Sequence, residues 1–189
     1  TDSGDEAYLL AKNLPAIPVI IGRKRAITGR YAVENLGIEV LVLDDGFQHW
    51  QLARDLDIVL IDTITAFGNN QMLPRGILRE PLRHLKRAHT FLLTKVDQSE
   101  PAVYDTLKQR LARYNPEALV VESVHQPQYL VEIGRWQAND LAATINLKEL
   151  QDRPVLAFSA IGNPASFERT IRDVGATVVE AVQFPDHHD

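Results

Sequence analysis

Short apolar runs alternate with helical patterns along this chain, and that alternation limits the folds that it can adopt. A run that is apolar throughout is typical of a parallel strand, because both faces of a parallel sheet are covered. Strands that alternate with helices pair in parallel through right-handed crossovers, so we predict an α/β fold. The predicted strands are 18–21, 39–43, 58–62, 90–94, 154–159 and 177–184, and the predicted helices are 5–14, 25–35, 82–87, 100–114 and 165–174.

The pattern changes after Tyr114, where two extended segments, 119–123 and 129–133, flank Gln126-Pro127. These segments predict either a hairpin or a linking ribbon. The later strand–helix–strand pattern is typical of a second, smaller α/β domain. We therefore predict a larger domain over 1–114, a ribbon over 115–135 and a smaller domain over 136–189.

Composition argues against several classes of protein. The 189 residues carry 20 basic and 25 acidic side chains, for a formal charge of −5, and no basic stripe, which argues against general nucleic-acid binding. The sequence contains no cysteine, which excludes disulfides and thiolate metal sites from these residues and fits a reducing compartment. Its apolar runs are far shorter than the ~20 residues that span a bilayer.

Two adjacent carboxylates, Asp44 and Asp45, follow the predicted strand 39–43. Ligands of open α/β sheets bind beyond the carboxyl ends of the strands, so this pair would lie where the metal and phosphates of a nucleotide bind. Adjacent carboxylates repel each other, and a bound cation removes that cost. The alternative is a solvated turn, because Asp-Gly is a common turn pair. His49 could bind a phosphate, orient a carboxylate or be structural.

Polar residues near both ends of the chain also have more than one interpretation. Asp5 and Glu6 in a first helical turn are ordinary dipole-stabilising residues. Asp186, His187 and His188 could form a metal pair, a polar tail or the partner of a catalytic carboxylate.

The loop after 58–62 contains Arg75 and Arg79. Arginine is the usual clamp for a transferring phosphoryl group, and a surface ion pair is the common alternative. The segment 94–97 (Thr-Lys-Val-Asp) resembles the base-reading motif of guanine-nucleotide proteins, but a match of four residues is short. No GxxxxGKS/T phosphate loop occurs in the 189 residues. The sequence also begins without Met and ends within a His-rich run. We therefore expect a fragment cut at both ends, whose phosphate loop lies upstream and which is inactive alone.

Several motifs, in order along nearly the whole chain, resemble one family. They are Gly4-Asp5-Glu6, Leu43-Asp44-Asp45-Gly46-Phe47-Gln48-His49, Leu52-Ala53-Arg54-Asp55, Gly68-Asn69, Leu73-Pro74, Leu78-Arg79-Glu80-Pro81 and Phe184-Pro185-Asp186-His187. The set resembles tetraacyldisaccharide 4′-kinase, the lipid A kinase of Gram-negative bacteria. The Asp-Asp-Gly-Phe-Gln-His segment is highly specific. The sequence departs from the family pattern at Trp50, and at Arg75 and Ile77, where members often read Ala-Gly-Pro.

The resemblance implies a P-loop-kinase-like parallel sheet with helices on both faces, and a smaller α/β domain joined to it by a two-stranded ribbon. Residues 1–114 would be a partial kinase core, and the chain would return to the active site at 185–189. The implied reaction moves the γ-phosphoryl group of ATP, with Mg²⁺, to the 4′-hydroxyl of a lipid A disaccharide 1-phosphate precursor. The full-length protein would work at the cytoplasmic face of the inner membrane, without nucleic acid.

The resemblance also implies residue roles. Asp5 would take the proton of the sugar hydroxyl, and His187, or less favourably His188, would pair with Asp5. Asp44 and Asp45 would bind the metal. The other implied positions are His49 and Arg79 as catalytic residues, Glu6 and Gln48 as cofactor-binding residues, and Glu80 as a metal-side residue.

Two other classes of function stay open at this point. One is a different P-loop kinase or NTPase that acts on a small soluble substrate. The other is a non-catalytic α/β binding module.

Overall fold

The computed structural model describes residues 4–138, 140 and 142–185. It divides into two compact units, Thr1–Asp57 and Ile58–Asp189. The helices are α1 (Asp5–Asn13), α2 (Arg25–Leu36), α3 (Pro101–Tyr114), α4 (Ile133–Gln137) and α5 (Pro164–Asp173), with 3-10 helices at Leu82–Arg87, Val96–Gln98 and Leu147–Leu150. The strands are β1 (Ile58–Asp62), β2 (Thr90–Thr94), β3 (Leu119–Glu122), β4 (Pro154–Ser159) and β5 (Thr177–Gln183).

The structure describes two sheets in the second unit. The three-stranded sheet is parallel, with the strand order β1-β2-β3. Asp62 at the end of β1 lies opposite Thr94 at the end of β2. The predicted strands 58–62 and 90–94 are confirmed with the predicted bounds. Phe91 and Leu93 of β2 are fully buried, because they lie on the face of the sheet that packs in one apolar cluster with Leu107 and Leu111.

The core of this unit lies between the sheet and the helices that connect its strands. α3 begins with Pro101, a favoured first helical residue, and buries Leu107 and Leu111 on one face, four residues apart. The buried apolar cluster comprises Ile61, Phe67, Leu85, Ala88, Phe91, Leu93, Leu107 and Leu111. Sheet, loop and helix residues thus share one core.

The strand–helix–strand pattern predicted over 154–184 is confirmed. β4 and β5 pair in parallel, and α5 connects them. The side chain of Asn163 caps α5 by accepting a hydrogen bond from the backbone N–H of Ser166 at 3.1 Å. Gly175 ends the helical segment with a φ of 98°, a conformation that favours glycine.

The first unit contains the two predicted helices but neither of the strands predicted at 18–21 and 39–43. These two strand predictions are wrong for this structure. No described residue forms a backbone ladder with either segment, and a strand needs such a partner for its N–H and C=O groups. Val40 and Val42 are consequently 77% and 92% exposed. Ala32 on α2 is the buried apolar residue of this unit among the described residues.

The extended segment predicted at 119–123 belongs to the sheet rather than to a ribbon. Leu119–Glu122 pairs in parallel with β2. One hydrogen-bonding edge of this segment is therefore occupied by β2. The described part of 129–133 forms no strand, although Leu130 makes an isolated antiparallel bridge with Ile145. The division into 1–114, 115–135 and 136–189 stays a prediction.

Within the described residues, no helix combines the length and the apolar character needed to cross a membrane.

Candidate functional site

The two predicted metal carboxylates lie on a turn, not at the end of a strand. Asp45 has a φ of 51°, in the left-handed region. A Cβ on Gly46 would lie 2.8 Å from Cβ of Leu43, so the turn requires glycine at that position. Asp44 and Asp45 are both exposed. Adjacent exposed carboxylates supply the hard oxygen donors that Mg²⁺ prefers, so the residue types fit this metal.

Arg54 holds the loop that follows this turn. Its Nε and Nη2 atoms donate to the two carboxylate oxygens of Asp57 at 2.6 and 3.1 Å. Its Nη1 atom donates to the backbone carbonyls of His49, at 2.5 Å, and Leu52, at 3.0 Å. Both side chains of the ion pair are about nine-tenths buried, at 12% and 11% exposed. A bidentate arginine–carboxylate pair is strong and directional, so Arg54 fixes the backbone at His49.

Arg54 belongs to the Leu52-Ala53-Arg54-Asp55 motif, which by itself predicts no role for its side chain. The signal that could have identified it is an arginine three residues before Asp57, in a short segment between two apolar runs. His49 itself donates its backbone N–H to the carbonyl of Gly46 at 3.0 Å, which closes the turn. Gln48 and His49 are half-buried there.

The predicted base lies at the beginning of a helix. Asp5 is the first residue of α1, and Glu6 follows as an exposed residue of the first turn. Gly4 precedes them with a φ of 76°. Asp186, His187 and His188 lie outside the described residues, so the pairing of Asp5 with a histidine stays a prediction.

In the second unit, charged side chains meet at the carboxyl edge of the sheet. Asp62 ends β1, and its Oδ2 atom accepts a hydrogen bond from Nζ of Lys95 at 2.6 Å. Its Oδ1 atom accepts from the backbone N–H groups of Ile64 and Thr65 at 2.9 and 3.3 Å. Burial acts to raise the pKa of the Asp62 carboxyl, but these hydrogen bonds and the lysine charge hold that pKa below its usual value.

Thr63 ties the ends of the two strands together. It is fully buried, and its backbone N–H donates to the carbonyl of Thr94 at 3.1 Å. Its hydroxyl group lies 2.9 Å from the carbonyl oxygens of both Thr94 and Lys95 and shares its proton between them. Lys95 has a φ of 57°. The Thr63 bonds therefore hold an unusual backbone conformation at the point where Lys95 meets Asp62.

An open cavity of about 600 Å³ lies at this carboxyl edge. Lys95, after β2, and His125 and Gln126, after β3, line one side, and Asn163 and Phe167 at the start of α5 line the other. Parallel α/β sheets bind ligands at this edge. The four-residue match at 94–97 was too short to predict a site, yet Lys95 is one of the charged residues of this edge.

α5 is attached to the sheet beside this cavity through polar contacts. The hydroxyl of Ser166 donates to Oε1 of Gln98 at 2.7 Å. The guanidinium of Arg169 donates to the backbone carbonyls of Gln98 and Asp97, both at 3.0 Å. The cavity therefore has one wall from the sheet loops and one from the β4–α5–β5 segment.

Glu80 lies in an ion cluster that was not predicted from the sequence. Its Oε2 atom is 2.7 Å from both Nδ1 of His84 and Nη2 of Arg87, and its side chain is 12% exposed. The neighbouring Arg79 is exposed. The spacing of Glu80 and His84, four residues apart at a helix start, is the signal that could have predicted their contact.

Within the described ranges, no group of three or more His, Asp or Glu side chains could hold a metal ion. Asp44, Asp45 and His49 belong to the first compact unit, and Arg79 and Glu80 to the second. The magnesium site and the shared catalytic site therefore stay predictions.

Comparison with known proteins assigns the family. A family model described as LpxK, tetraacyldisaccharide-1-P 4′-kinase, matches residues 1–189. The chain belongs to this family. The match covers both compact units, so the turn at Asp44–Asp45 and the sheet of the second unit are parts of one family pattern.

Individual members of the tetraacyldisaccharide 4′-kinase family resemble the chain along its length. The enzyme of Halothermothrix orenii is 39% identical over 192 residues, which cover 100% of this chain and 50% of that protein. The enzyme of Anaeromyxobacter sp. strain K is 45% identical over 187 residues, with 99% and 48% covered. The chain thus spans about half the length of the curated relatives that it matches.

A solved kinase structure has the same fold. The crystal structure of apo-form LpxK from Aquifex aeolicus in complex with ATP is 32% identical, with a TM-score of 0.65. The similarity covers 98% of this chain and 52% of that chain. Together with the described parallel sheets, it confirms the predicted P-loop-kinase-like α/β fold class.

Proposed function

We propose that this chain forms part of a kinase that transfers the γ-phosphoryl group of ATP to the 4′-hydroxyl of tetraacyldisaccharide 1-phosphate. The observation that carries this proposal is the family match over residues 1–189. That match includes the Asp-Asp-Gly-Phe-Gln-His turn, whose carboxylates and histidine suit phosphoryl transfer. ATP as the donor is supported by the ATP complex of the Aquifex aeolicus relative.

The acceptor needs a base, because a sugar hydroxyl is a poor nucleophile at neutral pH. In the proposed step, the 4′-oxygen attacks the γ-phosphorus, the bond from that phosphorus to the bridging oxygen of ADP breaks, and Asp5 receives the hydroxyl proton. We assign the partner of Asp5 to His187, with His188 as the alternative. A histidine beside a carboxylate holds its orientation and shares the proton.

The donor needs its charge neutralised, since phosphoryl transfer depends mainly on positioning and electrostatics. We assign Asp44 and Asp45 to the metal. Bound Mg²⁺ would supply charge neutralisation at the phosphate oxygens. We also assign Glu80 to the metal, although its carboxylate binds His84 and Arg87 as well. Its removal would therefore remove structural contacts as well as a charge.

Further residues would position the reactants. We assign His49 and Arg79 to the transferring phosphoryl group, and Glu6 and Gln48 to nucleotide binding. We assign Arg54 an indirect role, in which it positions His49 by binding the backbone carbonyl of that residue. In a protein of family length, the acceptor would be a lipid precursor at the cytoplasmic face of the inner membrane.

The test uses a protein of full family length that carries this chain. With Mg²⁺, ATP and the disaccharide, we expect Asp5→Asn to lower kcat by about 10²–10⁴-fold, the usual contribution of a general base. Asp45→Asn should lower turnover and weaken the response to Mg²⁺. Asp105→Asn on the exposed surface of α3 is the matched control and should keep full activity.

Full turnover in both Asp5→Asn and Asp45→Asn would overturn the site assignment. Phosphorylation of small soluble sugars, in preference to the acylated disaccharide, would overturn the assignment of the substrate. The 189-residue chain assayed alone should show no transfer, and activity of that chain would contradict the expectation that a phosphate loop outside it is needed.

A further inference from the structure

A second open cavity, of about 720 Å³, lies on the helical side of the second unit. It is bounded by the loop after β1, the first turn of the 3-10 helix Leu82–Arg87 and the last turns of α3. It shares no lining residue with the cavity at the carboxyl edge. Neither the predicted catalytic residues nor the predicted metal residues line it, so the proposed reaction gives it no role.

The lining of this second cavity is positively charged, whereas the chain as a whole is negatively charged. Arg75, Arg83 and Arg110 line it, and no Asp or Glu does. The chain as a whole carries a formal charge of −5. Three guanidinium groups without an acidic neighbour in the lining favour an anionic ligand, because arginine pairs with phosphate through planar, bidentate hydrogen bonds. We call this cavity, by those three residues, the arginine pocket.

One of the arginines is fixed and the other two are exposed. Nη2 of Arg110 donates to Oδ1 of Asn70 at 2.6 Å, and its guanidinium lies 5.0 Å from the ring centre of Phe67. Arg110 therefore holds the loop and forms a positive floor. Arg75 and Arg83 are exposed at the rim. A fixed floor with exposed rim charges suits a ligand that arrives from solution or from a surface.

The rim of the arginine pocket is also apolar. Met72 and Leu73 line it and are 45% and 62% exposed, and Ile77 of the same loop is 58% exposed. The loop is closed by a hydrogen bond from the N–H of Leu73 to the carbonyl of Leu78 at 2.9 Å. A Cβ on Gly76 would lie 2.2 Å from the carbonyl oxygen of Gln71, so this loop is tightly packed. The loop therefore holds its apolar side chains outward beside the arginines.

We propose that the arginine pocket binds the phosphate headgroup of an anionic phospholipid, with Leu73 and its neighbours in contact with the lipid surface. Charge complementarity selects the anion. The exposed apolar rim selects an amphiphile over a soluble phosphate, because apolar side chains next to basic ones are typical of membrane-surface binding. The pocket thus forms a lipid contact in this chain, independent of the proposed catalytic residues.

The test is co-sedimentation of this chain with vesicles of phosphatidylcholine, with and without phosphatidylglycerol, at low and high salt. We expect binding to the anionic vesicles that weakens as salt screens the charges. The double variant Arg75→Gln/Arg83→Gln should bind about 30-fold more weakly, since each basic residue near an anionic surface is worth about 1 kcal/mol. Arg110 is left in place because it holds Asn70.

Matched control variants distinguish the contributions of charge and of apolar contact to vesicle binding from general adsorption of the protein. Arg135→Gln/Arg153→Gln removes two exposed arginines elsewhere and should leave binding unchanged. Leu73→Ser should weaken binding about tenfold, the effect expected for a leucine in contact with lipid, whereas Ile133→Ser, at a similarly exposed position, should not.

Four results would overturn the proposal. They are no binding to anionic vesicles, equal binding to neutral vesicles, equal losses in the double variant and its control, and full displacement by glycerol phosphate. The last result would assign the pocket to a soluble phosphate. None of these results involves kinase turnover, so failure here leaves the proposed reaction to be tested by its own assay.

Discussion

The two compact units of this chain carry similar apolar patterns but use them differently. In Ile58–Asp189, apolar runs become paired strands, and Phe91 and Leu93 are fully buried. In Thr1–Asp57, a run of the same character, 39–43, has no strand partner among the described residues, and Val42 is 92% exposed. The comparison shows that an apolar run is not sufficient to form a strand. The run supplies side chains that can be buried, but a strand also needs a neighbouring backbone that pairs with it.

The largest expected contrast is between buried and exposed apolar residues of the two units. Leu93→Ala should lower the free energy of unfolding by about 2–5 kcal/mol, because it opens a cavity in a closed core. Val42→Ala should change it by less than about 0.5 kcal/mol, because that side chain is already in water. Urea unfolding of both variants measures this contrast, and equal losses would contradict the difference in burial between Leu93 and Val42.

The next prediction concerns the hydrogen bonds of Arg54, which stabilise a unit that buries little apolar surface among its described residues. Arg54→Gln should lower the local stability of residues 49–57 by about 1.5–3 kcal/mol, because it removes hydrogen bonds made by a charged donor. Hydrogen exchange of the backbone amides measures this change. Arg30→Gln on α2 is the control in the same unit. Unchanged exchange in Arg54→Gln would show that the clamp does not stabilise this loop.

A third test concerns packing in the loop of the second unit. Gly76→Ala should destabilise the protein by about 1–3 kcal/mol, the usual cost of overpacking, because a Cβ would lie 2.2 Å from Oδ1 of Asn69. Gly134→Ala is the matched control, since a Cβ there meets no atom within 4 Å. Thermal unfolding of the two variants separates them. If they unfold alike, the loop around Gly76 is loosely packed.

The smallest expected effect is the pH dependence of the Asp62–Lys95 pair. The pKa of Asp62 is lowered in the folded protein, so its contribution is present above the unfolded pKa of about 3.9 and is lost as the pH falls through the folded value. Asp62→Asn should therefore cost about 0.5–1 kcal/mol at neutral pH and nothing in acid. Urea unfolding over this pH range tests it, and a constant cost would exclude the ion pair as the cause.

Much of the second unit could be predicted from the sequence, because its local pattern and its tertiary partners agree. The strands 58–62, 90–94 and 154–159 have the predicted bounds, and each has a parallel neighbour. The prediction failed at 18–21 and 39–43, where the pattern is right for a strand but no described residue supplies the ladder. The extended conformation predicted at 119–123 is confirmed over 119–122, but its pairing with β2 could not be predicted, because an extended segment does not reveal which neighbour it will pair with.

The sequence supplies the residue types of the candidate site, which stays a prediction, but not the contacts that those residues make. Asp44 and Asp45 were predicted at the end of a strand, with an exposed turn as the alternative, and the structure has the turn, in which a Cβ on Gly46 would lie 2.8 Å from Cβ of Leu43. The bonds of Glu80 to His84 and Arg87, and of Asp62 to Lys95, could not be predicted, since they depend on how side chains meet in space. Lys95 and Asp62 are separated by 33 residues in the sequence.

Transfer of labelled phosphate from γ-labelled ATP to the acylated disaccharide tests the central claim most directly. The assay uses a family-length protein that carries this chain, with the natural acceptor and with an analogue that lacks the 4′-hydroxyl. The account predicts label in the natural acceptor and none in the analogue. Equal labelling of both, or release of labelled phosphate to water regardless of acceptor, would contradict it.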